Sequence, residues 1–214
     1  MGIQMNLKQW SVLSVLAGML SSPGVTSAVD LSVNGQVRSD SACGIALGNG
    51  GVVDLGNLSR KDIGRMVSDR SRSMSLRINC QQPTKVGFTV IDNRAGTVPP
   101  GQLPYQGNFG LGNPAIGFYK MFRYSSRVEA DGRSVLPIQR LKDSKTWNGP
   151  GPGYYYGIAP ISIMSWGEQG PQKEPMAFKI LTDALYIELH FQDDIAFTDE
   201  LEIDGSTTLE LLYL

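Results

Sequence analysis

The sequence predicts an all-β sandwich stapled by one disulfide. Three observations carry that prediction. Apolar residues recur with a period of two, turn residues punctuate those runs, and two cysteines follow a segment that reads as an export signal. Val29, Leu31, Val33 and Val37 alternate with Asp30, Ser32, Asn34 and Gln36. Met74, Leu76, Ile78 and Cys80 alternate with Ser75, Arg77 and Asn79, and Val86, Phe88 and Val90 resume after a break at Gln81-Gln82-Pro83. Leu185, Ile187, Leu189 and Phe191 form another apolar face, and Leu209, Leu211 and Tyr213 close the chain opposite Thr208 and Glu210. Successive side chains of a strand point to opposite faces, so these runs read as half-buried strands.

The segments between them carry turn chemistry: Asn34-Gly35, Asn49-Gly50-Gly51, Asp92-Asn93, Asp131-Gly132 and Asp204-Gly205. Gly149-Pro-Gly-Pro-Gly153 is a loop that neither a helix nor a central strand crosses. The stretch from Ser59 to Asp69 alone could hold a short helix, weakened by Gly64. Many short antiparallel strands with one buried face argue for a sandwich, with no internal repeat and no dividing linker.

Residues 1–28 read as a secretory leader, with Lys8 its only charge, an apolar stretch from Trp10 to Leu20, a break at Pro23-Gly24 and small residues Thr26-Ser27-Ala28 at the cleavage positions. The apolar stretch is shorter than the ~20 residues that a membrane span requires. Cleavage would leave 214 − 28 = 186 residues, 29–214, the length of a single domain. In an oxidising compartment Cys43 and Cys80 should pair, and closing that loop contributes about 4 kcal/mol in the chain-entropy account. A formal net charge of −1 gives no electrostatic reason to expect a nucleic-acid partner. Two Cys and one His cannot supply a four-Cys or two-His zinc motif, so no metal or other cofactor is nominated.

An exported β-sandwich with an early disulfide and a penultimate Tyr213 resembles the fimbrial (pilin-like) subunits of the bacterial chaperone–usher pathway. Within that group the chain is similar to a fimbrial-like family labelled domain of unknown function 1120. The stretches that carry the similarity are Val33-Asn-Gly-Gln-Val37 leading to Cys43, Gly51-Val-Val-Asp-Leu-Gly56, Leu76-Arg-Ile-Asn-Cys80 with Pro83-Thr84, Asp92-Asn-Arg-Ala-Gly-Thr97, Phe109-Gly-Leu-Gly112 and Asp204 to Leu214. The resemblance implies an immunoglobulin-like, pilin-type sandwich that lacks its last strand. A periplasmic chaperone first lends the missing strand, and a neighbouring subunit replaces it at an outer-membrane usher. The implied interface is the last strand, with Leu209, Leu211 and Tyr213 facing inward and the Leu214 carboxylate meeting the chaperone's basic residues. Val29, Leu31 and Val33 alternate as a donor strand would. Only residues 29–42 separate the cleavage site from Cys43, however, which leaves a short donor and keeps open a tip, terminating or non-polymerising role. The implied location is the periplasm and cell surface of a Gram-negative bacterium.

The competing motifs are weak. Gly110-Leu-Gly112-Asn-Pro-Ala115 fits a loose nucleotide fingerprint, but prolines precede it and Ile116-Gly-Phe-Tyr119 reads as strand rather than helix. His190 falls on the polar side of its strand beside Glu188, and no Ser-nucleophile pattern accompanies it, so no catalytic residue is nominated. The acidic residues Asp193, Asp194, Asp199, Glu200, Glu202 and Asp204 lack calcium-loop spacing. Trp147, Tyr154, Tyr155, Tyr156 and Trp166 leave two readings. Either Trp147 and Tyr154 stand on the Pro/Gly loop and stack on a host glycan or protein, as in a tip adhesin, or the aromatics pack in the core. The leading expectation is a structural subunit, the second an adhesin, and the third a secreted hydrolase.

Overall fold

The computed structural model describes residues 42–58, 71–103, 106–126, 128–149, 155–171, 173–192 and 201–214. The chain groups into two units: Met1–Val37, which lies outside the described residues, and Arg38–Leu214, which holds all of them. The expected leader, the Val29–Val37 strand, the short helix of 59–69, the interior of the Pro/Gly loop, Tyr154 and the acidic residues of 193–200 also lie outside them.

The described residues are all-β, in eleven strands and two short 3-10 turns. The strands are β1 (Cys43–Leu47), β2 (Ser71–Asp92), β3 (Phe109–Gly110), β4 (Gly117–Tyr124), β5 (Glu129–Ala130) and β6 (Arg133–Ser134). They continue with β7 (Leu136–Leu141), β8 (Tyr155–Ile158), β9 (Ser162–Gly167), β10 (Ala177–Phe191) and β11 (Thr207–Tyr213). Every ladder is antiparallel. One half of the sheet runs β1, the first part of β2, β10 and β4, with β3 and β8 sharing the far edge of β4. The other half runs β11, the last part of β2, β9 and β7.

β2 joins the halves. The predicted break at Gln81-Gln82-Pro83 does not end the strand but bends it. Phe178 pairs with Thr84 while Ile180 already pairs with Asn79, so residues 80–83 bulge out of the ladder against Lys179. Pro83 has no N–H to give that ladder, and a bulge there costs no hydrogen bond. Beyond the bend β2 folds back over its own beginning. Thr207, opposite Asp92 at the end of β2, reaches the Tyr119 hydroxyl, and Tyr119 is opposite Leu189, near the start of β2. The alternation predicted for both parts holds: Met74, Leu76, Ile78, Val86, Phe88 and Val90 are all buried in one core. Cys43 and Cys80 are disulfide-bonded and stand opposite each other in the β1–β2 ladder.

Where the halves meet, two charges are wholly buried. Arg123 of β4 donates to Asp183 of β10 at 3.2 Å and to the Ile138 carbonyl of β7 at 3.4 Å. Its guanidinium lies 5.4 Å from the Phe88 ring and 5.2 Å from the Trp166 ring. The Trp166 indole N–H donates to the same Asp183 carboxylate at 2.9 Å, and the Ala184 N–H donates to its other oxygen at 2.7 Å. Burial pushes the Asp183 carboxyl up, while Arg123 and the N–H donors pull it back. Trp166 is therefore a core residue with a polar anchor, not a ligand-facing ring.

Removing one member of this group leaves a buried charge alone, which costs about 3–5 kcal/mol. Asp183→Ala should lose that much in urea unfolding. Arg123→Met with Asp183→Leu should recover to within about 2 kcal/mol of the parent, because apolar replacement of both partners is near neutral. A loss below about 1 kcal/mol for Asp183→Ala would show that water enters the site.

Candidate functional site: an open apolar groove

The half of the sheet that carries β11 does not cover all of the other half. Between them lies an open groove of about 990 Å³. Its floor is Met74, Tyr119, Met121, Leu185, Ile187, Leu189 and Phe191, from β2, β4 and β10. One wall is the segment 51–58 that follows β1, and the other is 201–205 with Thr207 and Leu209 of β11.

Local sequence builds both walls. At Asn49-Gly50-Gly51 the chain takes φ values of 50°, 61° and 81° in succession. That is a left-handed turn which side-chain-bearing residues other than Asn and Asp rarely enter. The turn carries the chain away from β2. Val53, Leu55 and Leu58 then pack against the core while Val52, Asp54 and Gly56 face out. This is the alternation of a strand, yet no ladder joins 52–58 to another element among the described residues.

The opposite wall is held by a knot of three sequence stretches. The Asp92 carboxylate accepts from the N–H groups of Arg94 and Gly110. The Thr97 hydroxyl donates to the Arg94 carbonyl and accepts from the Gly112 N–H. The Asp204 N–H donates to the Leu111 carbonyl, and the Arg94 guanidinium clasps the Asp204 carboxylate at 2.6 and 2.8 Å. A Cβ at Gly110 would collide with the Arg94 carbonyl oxygen, so only glycine fits there. The loose nucleotide motif that begins at Gly110 is thus part of this knot, followed by strand β4 rather than a helix.

β11 borders the groove with its backbone as well as its side chains. Ser206 accepts from the Asn93 N–H, and the Leu214 N–H donates to the Lys85 carbonyl. The even-numbered residues of β11 therefore aim their backbone groups at β2, and alternation aims those of Leu209 and Leu211 at the open side. Among the described residues β11 pairs with β2 alone.

The predicted interface residues divide. Leu209 lines the groove, and Leu211, on the same face, is half-buried against the core. Tyr213 shares their face but does not turn in. It is 56% exposed, and its hydroxyl accepts the Cys43 N–H at 2.9 Å, because the strand has by then run past the groove to the disulfide. Leu214 is exposed, with its side chain near Gly87. Val29, Leu31 and Val33 lie outside the described residues. Of the candidate ligand loop, Trp147 is half-buried, with the Arg140 guanidinium 5.2 Å from its ring, and Tyr154 lies outside the described residues. His190 is stacked on Phe118, 4.8 Å between ring centres, and is 3.2 Å from Glu188, so it is packed on the sheet rather than fully solvated.

The floor residues are the part of the site that the sequence did not reveal. Leu185, Ile187, Leu189 and Phe191 are legible as a strand face, but nothing in their pattern says that a groove borders this face, in which Leu185, Ile187 and Leu189 are buried. A family model described as "Protein of unknown function (DUF1120)" matches residues 31–107. That stretch includes β1, the 51–58 wall, β2 and the Asp92–Thr97 turn, and leaves β4, β10 and β11 outside. No curated protein and no solved structure matches the chain.

Tyr119 ties floor to wall through its hydroxyl and Thr207. Burial pushes its phenol up to about 12, so the folded state holds the proton more tightly than the unfolded chain, whose value is 10.0. The resulting stability is complete below pH 10 and is lost as pH rises toward 12. Tyr119→Phe should flatten the decline in thermal midpoint across that window. An equally steep decline in the variant would assign the alkaline sensitivity to other groups.

Proposed function

We propose that this chain is an exported, fimbrial-like subunit completed by strand addition. A periplasmic chaperone lends an extended strand to the groove, and a neighbouring subunit takes its place at an outer-membrane usher. The observation that supports this reading best is the pairing of an apolar groove with the open backbone edge of β11 along one side. An incoming strand would gain ladder hydrogen bonds from Leu209 and Leu211, and its alternate apolar side chains would enter the groove that Leu185, Ile187 and Leu189 line from below. A strand edge that pairs with nothing among the described residues, beside an apolar groove, is an aggregation hazard in water, which gives a dedicated chaperone its physical purpose. The adhesin reading through Trp147 and Tyr154 draws less support, since Arg140 covers the Trp147 ring.

Periplasmic expression with and without a fimbrial chaperone tests this. A one-to-one complex should co-purify, and the chain should be degraded when expressed alone. Leu209→Asp and Leu211→Asp each forfeit about 1.5–3 kcal/mol of apolar burial and should cut the complex at least about tenfold. Leu141→Asp, at a residue 53% exposed and away from the groove, should leave it intact. A stable folded monomer without any chaperone would overturn the proposal.

A further inference from the structure

The groove's charge says something about the strand it takes, an inference that rests on the strand-addition reading above. The charged side chains that line it are Asp54 on one wall and Glu202 on the other, both exposed at the rim. Among the described residues no Lys or Arg lines it. Glu210 is exposed on the outer face of β11, between Leu209 and Leu211, whose backbone groups meet the open side. A strand added there sets its outward side chains beside Glu210 as cross-strand neighbours. The Asp204 carboxylate is engaged by Arg94 and one Asp54 oxygen accepts the Gly56 N–H, which leaves the other Asp54 oxygen at the rim, with Glu202 and Glu210, for the incoming chain.

We infer that the groove selects a strand whose inward residues are apolar and whose outward residues are basic. Each exposed pair contributes only about 0.2–1 kcal/mol, so two or three together give about a tenfold preference that salt should erase. The same carboxylates disfavour the simplest wrong partner. Two β11 edges joined to each other would place two Glu210 side chains on one face of a short ribbon, and like charges so placed are destabilising.

The test uses peptides of about ten residues with Val, Ile and Leu at alternate positions. Lys, Ser or Glu fills the intervening positions, and a scrambled Lys peptide has the same composition. The full chain, unfolded with its disulfide intact, is refolded with each peptide at about 50 mM and about 0.5 M salt. Retention on gel filtration and the shift in thermal midpoint are then read. The Lys peptide should be held about tenfold more tightly than the Glu peptide at low salt, with Ser between them. That gap should close at high salt and in the triple variant Asp54→Asn, Glu202→Gln, Glu210→Gln. The Asp54→Asn change keeps an acceptor oxygen for the Gly56 N–H, so the wall stays in place. Equal retention of the Lys and Glu peptides would overturn the charge inference and leave strand addition standing. Retention of the scrambled Lys peptide at the level of the alternating one would also overturn it, because attraction would then need no strand. Failure of every alternating peptide to exceed the scrambled one would overturn strand addition and this inference together.

Discussion

The buried contact between Arg123 and Asp183 is the constraint on which the two halves of the sandwich depend. Each half presents an apolar inner face to the other, and apolar contact by itself has no preferred direction. The ion pair removes that freedom. Arg123 comes from β4 and Asp183 from β10 of one half, while Trp166 from β9 and the Ile138 carbonyl from β7 of the other add hydrogen bonds to them. A charge wholly out of water must keep its partners, so the halves are held in one register. The Phe88 and Trp166 rings, each within 5.4 Å of the guanidinium and packed against each other, exclude water and strengthen what they enclose.

That fixed stacking defines where the groove lies. β7 and β9 lie over the region of Arg123 and Asp183, and β11 is displaced to the far side of β2. Beyond β11 the inner face of β10 continues from Leu185 to Phe191 with a groove above it, which no strand among the described residues fills. The rigid core and the open groove are thus two consequences of one arrangement. The knot of Asp92, Arg94, Thr97 and Asp204 and the left-handed turn at Asn49–Gly51 hold the walls apart, so the gap is a built feature rather than a loose end. The ion pair within that knot is more than a third exposed on each side and contributes little to stability alone. Its role is to place the chain that leads into β11.

Much of this was legible in the residues. The alternation of Met74 to Ile78, Val86 to Val90, Leu185 to Phe191 and Leu209 to Leu211 identified strands and their buried faces, because side-chain period depends on local backbone geometry alone. The Asp131-Gly132 hairpin and the Asn49-Gly50-Gly51 turn were marked by residues that tolerate positive φ. Two cysteines behind a leader-like segment announced their own pairing. The stretches that carried the family resemblance, Asp92 to Thr97, Phe109 to Gly112 and Asp204 onward, proved to meet in a single hydrogen-bond knot.

Other features were decided only when the strands were placed against one another. Pro83 reads as a break in the sequence, but whether a chain stops or bends there depends on what its neighbours bury. Arg123 and Asp183 are ordinary charged residues until two sheets close on them, since burial is a property of the pair and not of either position. Tyr213 keeps the inward parity of its strand yet emerges beside the disulfide, because parity says which face a side chain takes and not how far the opposing layer extends. The groove follows the same logic. The sequence by itself determined strands, faces, turns and the staple, all of which depend on near neighbours in the chain. Which apolar face borders a groove is a matter of layer overlap, and overlap exists only in the folded molecule.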